Sequence, residues 1–125
     1  MYRVGVSRSF IAQHYLIGGD WGDENLPHSH HYRIDVEVSG EHLDSHFYLV
    51  DIVALETALE AQVARYRDRL LNDLPEFAGV NPSLEFFARL LCQNLTNNLP
   101  TKGLSRLCVR LWEHENAWAA FEMSL

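Results

Sequence analysis

Cysteine, positive charge and long apolar runs are all scarce in this chain, and each scarcity excludes something. Two cysteines, Cys92 and Cys108, cannot build a disulfide framework. Cys92 falls in a helical pattern and Cys108 in a strand-like one, so both are expected as free thiols, buried rather than reactive. No stretch reaches membrane-spanning length, and the opening MYRVGVSRSF has no apolar signal core. A protein of a reducing compartment is expected, most simply the cytoplasm, without a membrane partner. Ten Lys and Arg against 17 Asp and Glu leave a formal charge of −7. A nucleic-acid coat needs a basic face, so that partner class is excluded. A small anionic ligand needs only a local arginine cluster and stays open.

What is present is an ordinary globular mix, 47% apolar and 22% charged over 125 residues. That is enough for one domain, residues 1–125, with a real core. No internal repeat or low-complexity tract interrupts it. Val4, Val6, Phe10, Ala12 and His14 share one parity, broken by Arg8, and predict a strand with its apolar set on one face. Gly18 to Asp23 reads as a loop. From Ser29 to Gly40, His30, Tyr32, Ile34, Val36 and Val38 fall on one face, with His31, Arg33, Asp35 and Glu37 on the other.

The period then changes. Ile52, Leu55, Leu59, Val63 and Tyr66 recur at three or four, predicting a helix from Asp51 to about Arg69. Asp51 suits its N-cap, and Arg65, Arg67 and Arg69 its negative end. Residues 72–82 read as a loop. Asn81-Pro82 predicts an N-cap followed by Pro at the first helical position, opening a second helix that runs to about Asn97. Leu107, Val109 and Leu111 alternate into a third strand, and Ala117 to Met123 forms a fourth, with a turn at 114–116. The expected fold is α+β, ordered β-β-α-α-β-β, with a four-stranded antiparallel sheet and two helices on one face. Such a sheet leaves two open edges, which oligomerisation would close.

The histidines carry the chemistry. His28 and His30 are two apart at the start of a strand, so their imidazoles share a face. His14 ends another strand on its apolar face and can meet them. Three neutral imidazoles with an open position form the ligand set of a catalytic zinc, although imidazole also suits iron and nickel. Surface histidines beside a loop are the alternative for the His-x-His pair alone. His31 belongs to the opposite face, and His42 and His46 to a turn. His114 can support the site or face solvent. The His-x-His of a cupin is set aside because two helices interrupt these strands.

Phe10-x-Ala12-x-His14 followed by His28-Ser29-His30-His31-Tyr32 resembles the 6-pyruvoyltetrahydropterin synthase and 6-carboxytetrahydropterin synthase superfamily. Tyr48-Leu49-Val50-Asp51, Leu71-Asn72-Asp73-Leu74-Pro75 and Asn81-Pro82-Ser83-Leu84-Glu85 resemble further motifs of that family, in order, over nearly the whole chain. The resemblance implies the tunnelling fold, in which sheets close into a barrel as a trimer, two trimers stack into a hexamer, and active sites lie between subunits. It implies zinc on His14, His28 and His30. It also implies that Glu113 anchors the pterin, with contacts from Glu85 and Ser83. Glu113 shares the parity of Leu107, Val109 and Leu111, so its carboxylate points to the buried side and needs a donor. A pterin offers two side by side. An ion pair with Arg106 or Arg110 is the alternative for Glu113, and plain helix N-terminal chemistry for Ser83 and Glu85.

Two departures bear on the reaction. The family's catalytic Cys should precede His28, and at the four-residue offset stands Glu24. Where the family carries an Asp-His pair before Leu71-Asn72, this chain has Arg67-Asp68, or Asp68-Arg69 if shifted by one. A carboxylate can take a proton from a pterin side chain as a thiolate does, so Glu24 is the candidate general base, with Asp68 assisting proton transfer. An exposed loop acid beside Asp20 and Asp23 is the alternative for Glu24. A family branch with Glu in place of Cys resembles this sequence, and it cleaves 7,8-dihydroneopterin triphosphate to 6-hydroxymethyl-dihydropterin. A zinc lyase of that kind is the expected function. Ordinary 6-pyruvoyl- or 6-carboxytetrahydropterin synthesis is one alternative, and a non-catalytic pterin- or purine-binding protein is another.

Overall fold

The computed structural model describes residues 1–125. Its strands and helices run β1 (Tyr2–His14), β2 (His28–Gly40), α1 (Ile52–Tyr66), α2 (Leu84–Thr96), β3 (Arg106–His114) and β4 (Ala117–Ser124). The strands form one antiparallel sheet in the order β1-β2-β3-β4. No helix is long and apolar enough to cross a membrane.

The alternation seen in sequence decides which face is buried, because one step along a strand reverses the side chain. Phe10, Ala12, Tyr32, Ile34, Val36, Val38, Leu107, Val109 and Leu111 turn to the helices and join a single core cluster. Leu55, Leu59, Val63 and Tyr66 of α1 meet them, as do Phe87, Leu91 and Leu95 of α2. Each large side chain buried this fully contributes about 1.5–3 kcal/mol. Arg8 breaks the apolar parity without leaving the helix-facing side: its guanidinium reaches Glu56 at 2.8 Å and Glu60 at 3.6 Å on α1. Cys92 is buried, Cys108 half-buried, and both are free. Burial pushes the Cys92 thiol up to about 12.

Three local expectations are corrected. Helix α1 stops at Tyr66, short of Arg69. Asp68 takes a left-handed φ of 59°, and the chain turns back along β1. There the Asp68 N–H donates to Ile11 O at 2.7 Å, and the Gln13 N–H to Arg69 O at 2.8 Å. The unpaired groups of the β1 edge outcompete one more helical turn.

The cap of α2 is Ser83, whose Oγ accepts the Phe86 N–H at 3.1 Å. The Asn81 amide is used elsewhere, accepting from Ile17 N–H at 2.7 Å and donating to Ile17 O at 3.1 Å. The stretch read as a loop at 72–82 is entered through a short 3-10 turn, Leu71–Asp73, and holds a second, Pro75–Phe77; Leu71, Phe77 and the Leu74 between the turns are buried in the core. A further 3-10 turn, Gly22–Asn25, closes the loop between β1 and β2.

Candidate metal centre

Antiparallel pairing sets His14 directly opposite His28, and Ala12 opposite His30. All three imidazoles therefore gather at one end of the β1–β2 ribbon on the helix-facing side. Ring centroids lie 4.6 Å apart for His14–His28 and His14–His30, and 5.0 Å for His28–His30. One ring nitrogen from each falls within 4.8 Å of the others, so the group can hold a metal ion.

The hydrogen bonds decide which nitrogens are free. His28 Nδ1 lies 2.8 Å from Leu26 O. A carbonyl only accepts, so Nδ1 carries the proton and Nε2 keeps its lone pair. His14 Nδ1 lies 3.0 Å from the Tyr32 hydroxyl, which leaves its Nε2 for the centre. His30 Nε2 is buried without a hydrogen-bond partner. Glu113 Oε1 approaches it to 3.0 Å, but off the hydrogen-bonding direction. A buried imidazole nitrogen left in this way is what a metal ligand looks like without its ion, and the donor set fits a divalent metal.

Burial, reinforced by the neighbouring imidazoles, pulls His14 down to about 4. Burial also lowers His30, opposed by the Glu113 carboxylate. Both effects favour the neutral ring that a metal requires. Burial raises the Tyr32 phenol, with the Glu113 charge adding to it.

The centre opens into a cleft of about 250 Å³ lined by His14, His28, Leu16, Pro82, Ser83, Leu84 and three carboxylates, Glu24, Glu85 and Glu113. Glu24 sits in the 3-10 turn Gly22–Asn25, and its main-chain oxygen accepts from Leu16 N–H at 2.9 Å. Its side chain has no hydrogen bond or ion pair. Glu85, in the first turn of α2, is equally free. Ser83 Oγ accepts one hydrogen bond at the helix cap and keeps its hydroxyl proton to donate.

Glu113 keeps the parity of Leu107, Val109 and Leu111 and reaches the cleft at the end of β3. The β3–β4 register slips between Trp112 and His114, which leaves Glu113 without a partner residue on β4. Its Oε1 stands 3.0 Å from His30 Nε2 and 4.0 Å from His14 Nε2. The arginines expected to compete for it are engaged elsewhere. Arg106 pairs with Glu122 at 3.0 Å, and Arg110 lies 4.1 Å over the Trp118 ring.

Asp68 is not brought to this cleft: it sits exposed on the β1 edge, bonded through its main chain to Ile11. His31 and His114 line a separate hollow on the bare face of the sheet, with Ser9, Arg33, Trp112 and Glu115.

Three residues that matter to the site were given no role in it from sequence, Asn81 being expected as a helix cap instead. Tyr32 holds His14. Asn72 and Asn81 clamp the chain just beyond it, Asn72 accepting from Tyr15 N–H and donating to Tyr15 O, each at 2.9 Å. Both asparagines lie in the family-like motifs Leu71-Asn72-Asp73 and Asn81-Pro82-Ser83, which was the available signal.

The model of the 6-pyruvoyl tetrahydropterin synthase family matches residues 3–124. The chain belongs to that family. An Archaeoglobus fulgidus protein, provisionally named a 6-carboxy-5,6,7,8-tetrahydropterin synthase, is 29% identical over 116 residues, covering 93% of this chain and 91% of the relative. The solved 6-pyruvoyl tetrahydropterin synthase of Caenorhabditis elegans superposes with a TM-score of 0.81 at 21% identity, covering 99% of this chain and 98% of that one. A Plasmodium vivax family member superposes with a TM-score of 0.83 at 13% identity, again covering 99% and 98%. That protein was solved with a catalytic glutamate replaced by alanine. The sheet and helices are the tunnelling fold of the family.

Proposed function

We propose that this family member is a zinc-dependent lyase acting on the side chain of a dihydropterin such as 7,8-dihydroneopterin triphosphate, giving 6-hydroxymethyl-dihydropterin. The observation that carries the reading is the unpaired Glu24 carboxylate opening into the same cleft as His14 and His28, where the Cys of other family members is expected. The Plasmodium relative with a catalytic glutamate supports it.

His14, His28 and His30 hold the zinc, which polarises a side-chain hydroxyl oxygen when bound. Glu24 takes the proton from the pterin side chain. Glu113 anchors the ring N–H and amino group by a two-pronged hydrogen bond. Glu85 offers a second such acceptor, and Ser83 a donor. Asp68 serves only a cleft formed against a neighbouring copy.

The substrate's phosphates are not met by this chain. No lysine or arginine lines the cleft, and Arg8 is tied to α1. Their counter-charges come from solvent or a neighbouring copy. A trimer or hexamer with sites between subunits is part of the reading. The open β4 edge supports it, as do exposed apolar side chains around the start of α1: Phe47 (81% exposed), Tyr48 (66%) and Val53 (67%).

The test is a product assay by mass spectrometry on zinc-loaded protein given 7,8-dihydroneopterin triphosphate. The hydroxymethyl product is expected, lost in both His28→Ala and Glu24→Ala, with Glu24→Ala still binding the ligand. A carboxy or pyruvoyl product would establish the second reading, favoured by the Archaeoglobus relative. Unchanged substrate, with pterin still bound, would leave a non-catalytic binding protein.

A further inference from the structure

Glu113 stands closer to the histidines than an anchor for a distant ring needs to. In a tetrahedral zinc site with bonds of roughly 2.0–2.2 Å, neighbouring ligand atoms sit about 3.4 Å apart. Glu113 Oε1 lies 3.0 Å from His30 Nε2 and 4.0 Å from His14 Nε2, which brackets that spacing. The contact is not a hydrogen bond, since His30 Nε2 has no partner. No arginine neutralises the carboxylate, and its strand parity with Leu107, Val109 and Leu111 turns it inward. A carboxylate brought beside unprotonated imidazole nitrogens is stabilised by a cation among them.

We infer that Glu113 fills the open coordination position of the metal in the ligand-free protein and leaves it when a pterin enters. One side chain thereby closes the resting centre and, once displaced, is free to accept from the pterin's donors. The inference rests on His14, His28 and His30 being the metal ligands, so its test must separate the two.

Metal-stripped wild type, Glu113→Gln and His28→Ala would be titrated with cobalt(II), reading affinity and the visible absorption of the bound ion. Glu113→Gln is expected to weaken cobalt binding by about tenfold or more and to change its spectrum. At saturating 7,8-dihydroneopterin the wild-type and Glu113→Gln spectra should coincide, because the wild-type carboxylate has then left the metal and the variant never had one there. Wild-type affinity and spectrum in Glu113→Gln, with binding lost in His28→Ala, would overturn the inference and leave the three-histidine centre standing. Undiminished binding in His28→Ala would instead refute the centre itself. Spectra that still differ with ligand bound would overturn the displacement. Should Glu113→Gln fail to fold, Glu113→Asp, which draws the carboxylate back by a methylene, must weaken cobalt in its place.

Discussion

Replacing Tyr32 by phenylalanine removes an oxygen atom and keeps the ring. The ring is fully buried and packed between Phe10, with centroids 5.4 Å apart, and Phe87, at 5.6 Å. The apolar core should survive. What is lost is the hydroxyl that lies 3.0 Å from His14 Nδ1, on a histidine that is 5% exposed. If His14 binds metal through Nε2, Nδ1 must carry a proton. In the variant that buried N–H loses the Tyr32 oxygen as its acceptor, at a cost of about 1–3 kcal/mol.

Part of that cost is paid by the metal-free form too, which can relax by moving its proton to Nε2. The metal-bound form has no such escape, so the difference appears as affinity. A loss of about 1.4 kcal/mol is tenfold, and 10- to 100-fold weaker zinc binding is expected. Competition against a chromophoric chelator measures it, with thermal unfolding of the metal-free protein as the check on folding. Zinc affinity equal to wild type would refute the assignment of Nε2 as the ligand atom and of Tyr32 as its positioning residue.

Two further outcomes follow from contacts away from the centre. Glu76 is held down to about 2, chiefly by hydrogen bonds from Arg65 at 2.6 Å, with Tyr66 adding another at 2.9 Å. Its folded value lies below its unfolded one. Its contribution is therefore complete above the ordinary carboxylate range near pH 4–5 and disappears as pH falls through about 2. Arg65 is 47% exposed, and solvent screening limits the pair to about 1 kcal/mol. Glu76→Gln should lower stability by that much at pH 7, and the two denaturation curves should converge near pH 2. Asn81→Ala should cost about 1–2 kcal/mol and speed amide exchange at Ile17, whose N–H donates to it at 2.7 Å. Exchange unchanged at Ile17 would mean that the clamp does not hold the loop.

The strands and the histidine face were legible because a two-residue period leaves little freedom once one side is buried. His14 falls in phase with Phe10 and Ala12, and His30 with Tyr32 and Ile34, so the ligands inherit the parity of the core. The end of α1 was not legible. Arg67, Asp68 and Arg69 continue a helix as readily as they leave it, and the decision lies with unpaired main-chain groups of β1, more than fifty residues earlier in the chain. Asn81 was misread for a related reason. Its amide suits a local cap, but an amide can also pair both ways with a peptide unit, and Ile17 takes it. Parity put Glu113 on the correct side. Its neighbours His30 and His14 lie on other strands, which alternation within β3 cannot announce.

The clamps of Asn72 and Asn81 touch only main-chain atoms of Tyr15 and Ile17, and Leu16 is likewise gripped through its N–H and C=O by Glu24 O and Asn25 Nδ2. The loop after His14 is thus held in place whatever side chains it carries. Leu16 meanwhile forms part of the cleft wall. Selection, or a mutagenesis library, can therefore vary positions 15–17 to reshape ligand preference without loosening the histidine ladder beside them. The molecule keeps its inherited chemistry apart from its adjustable taste in substrates, and divergence between family members has an inexpensive route through three adjacent codons.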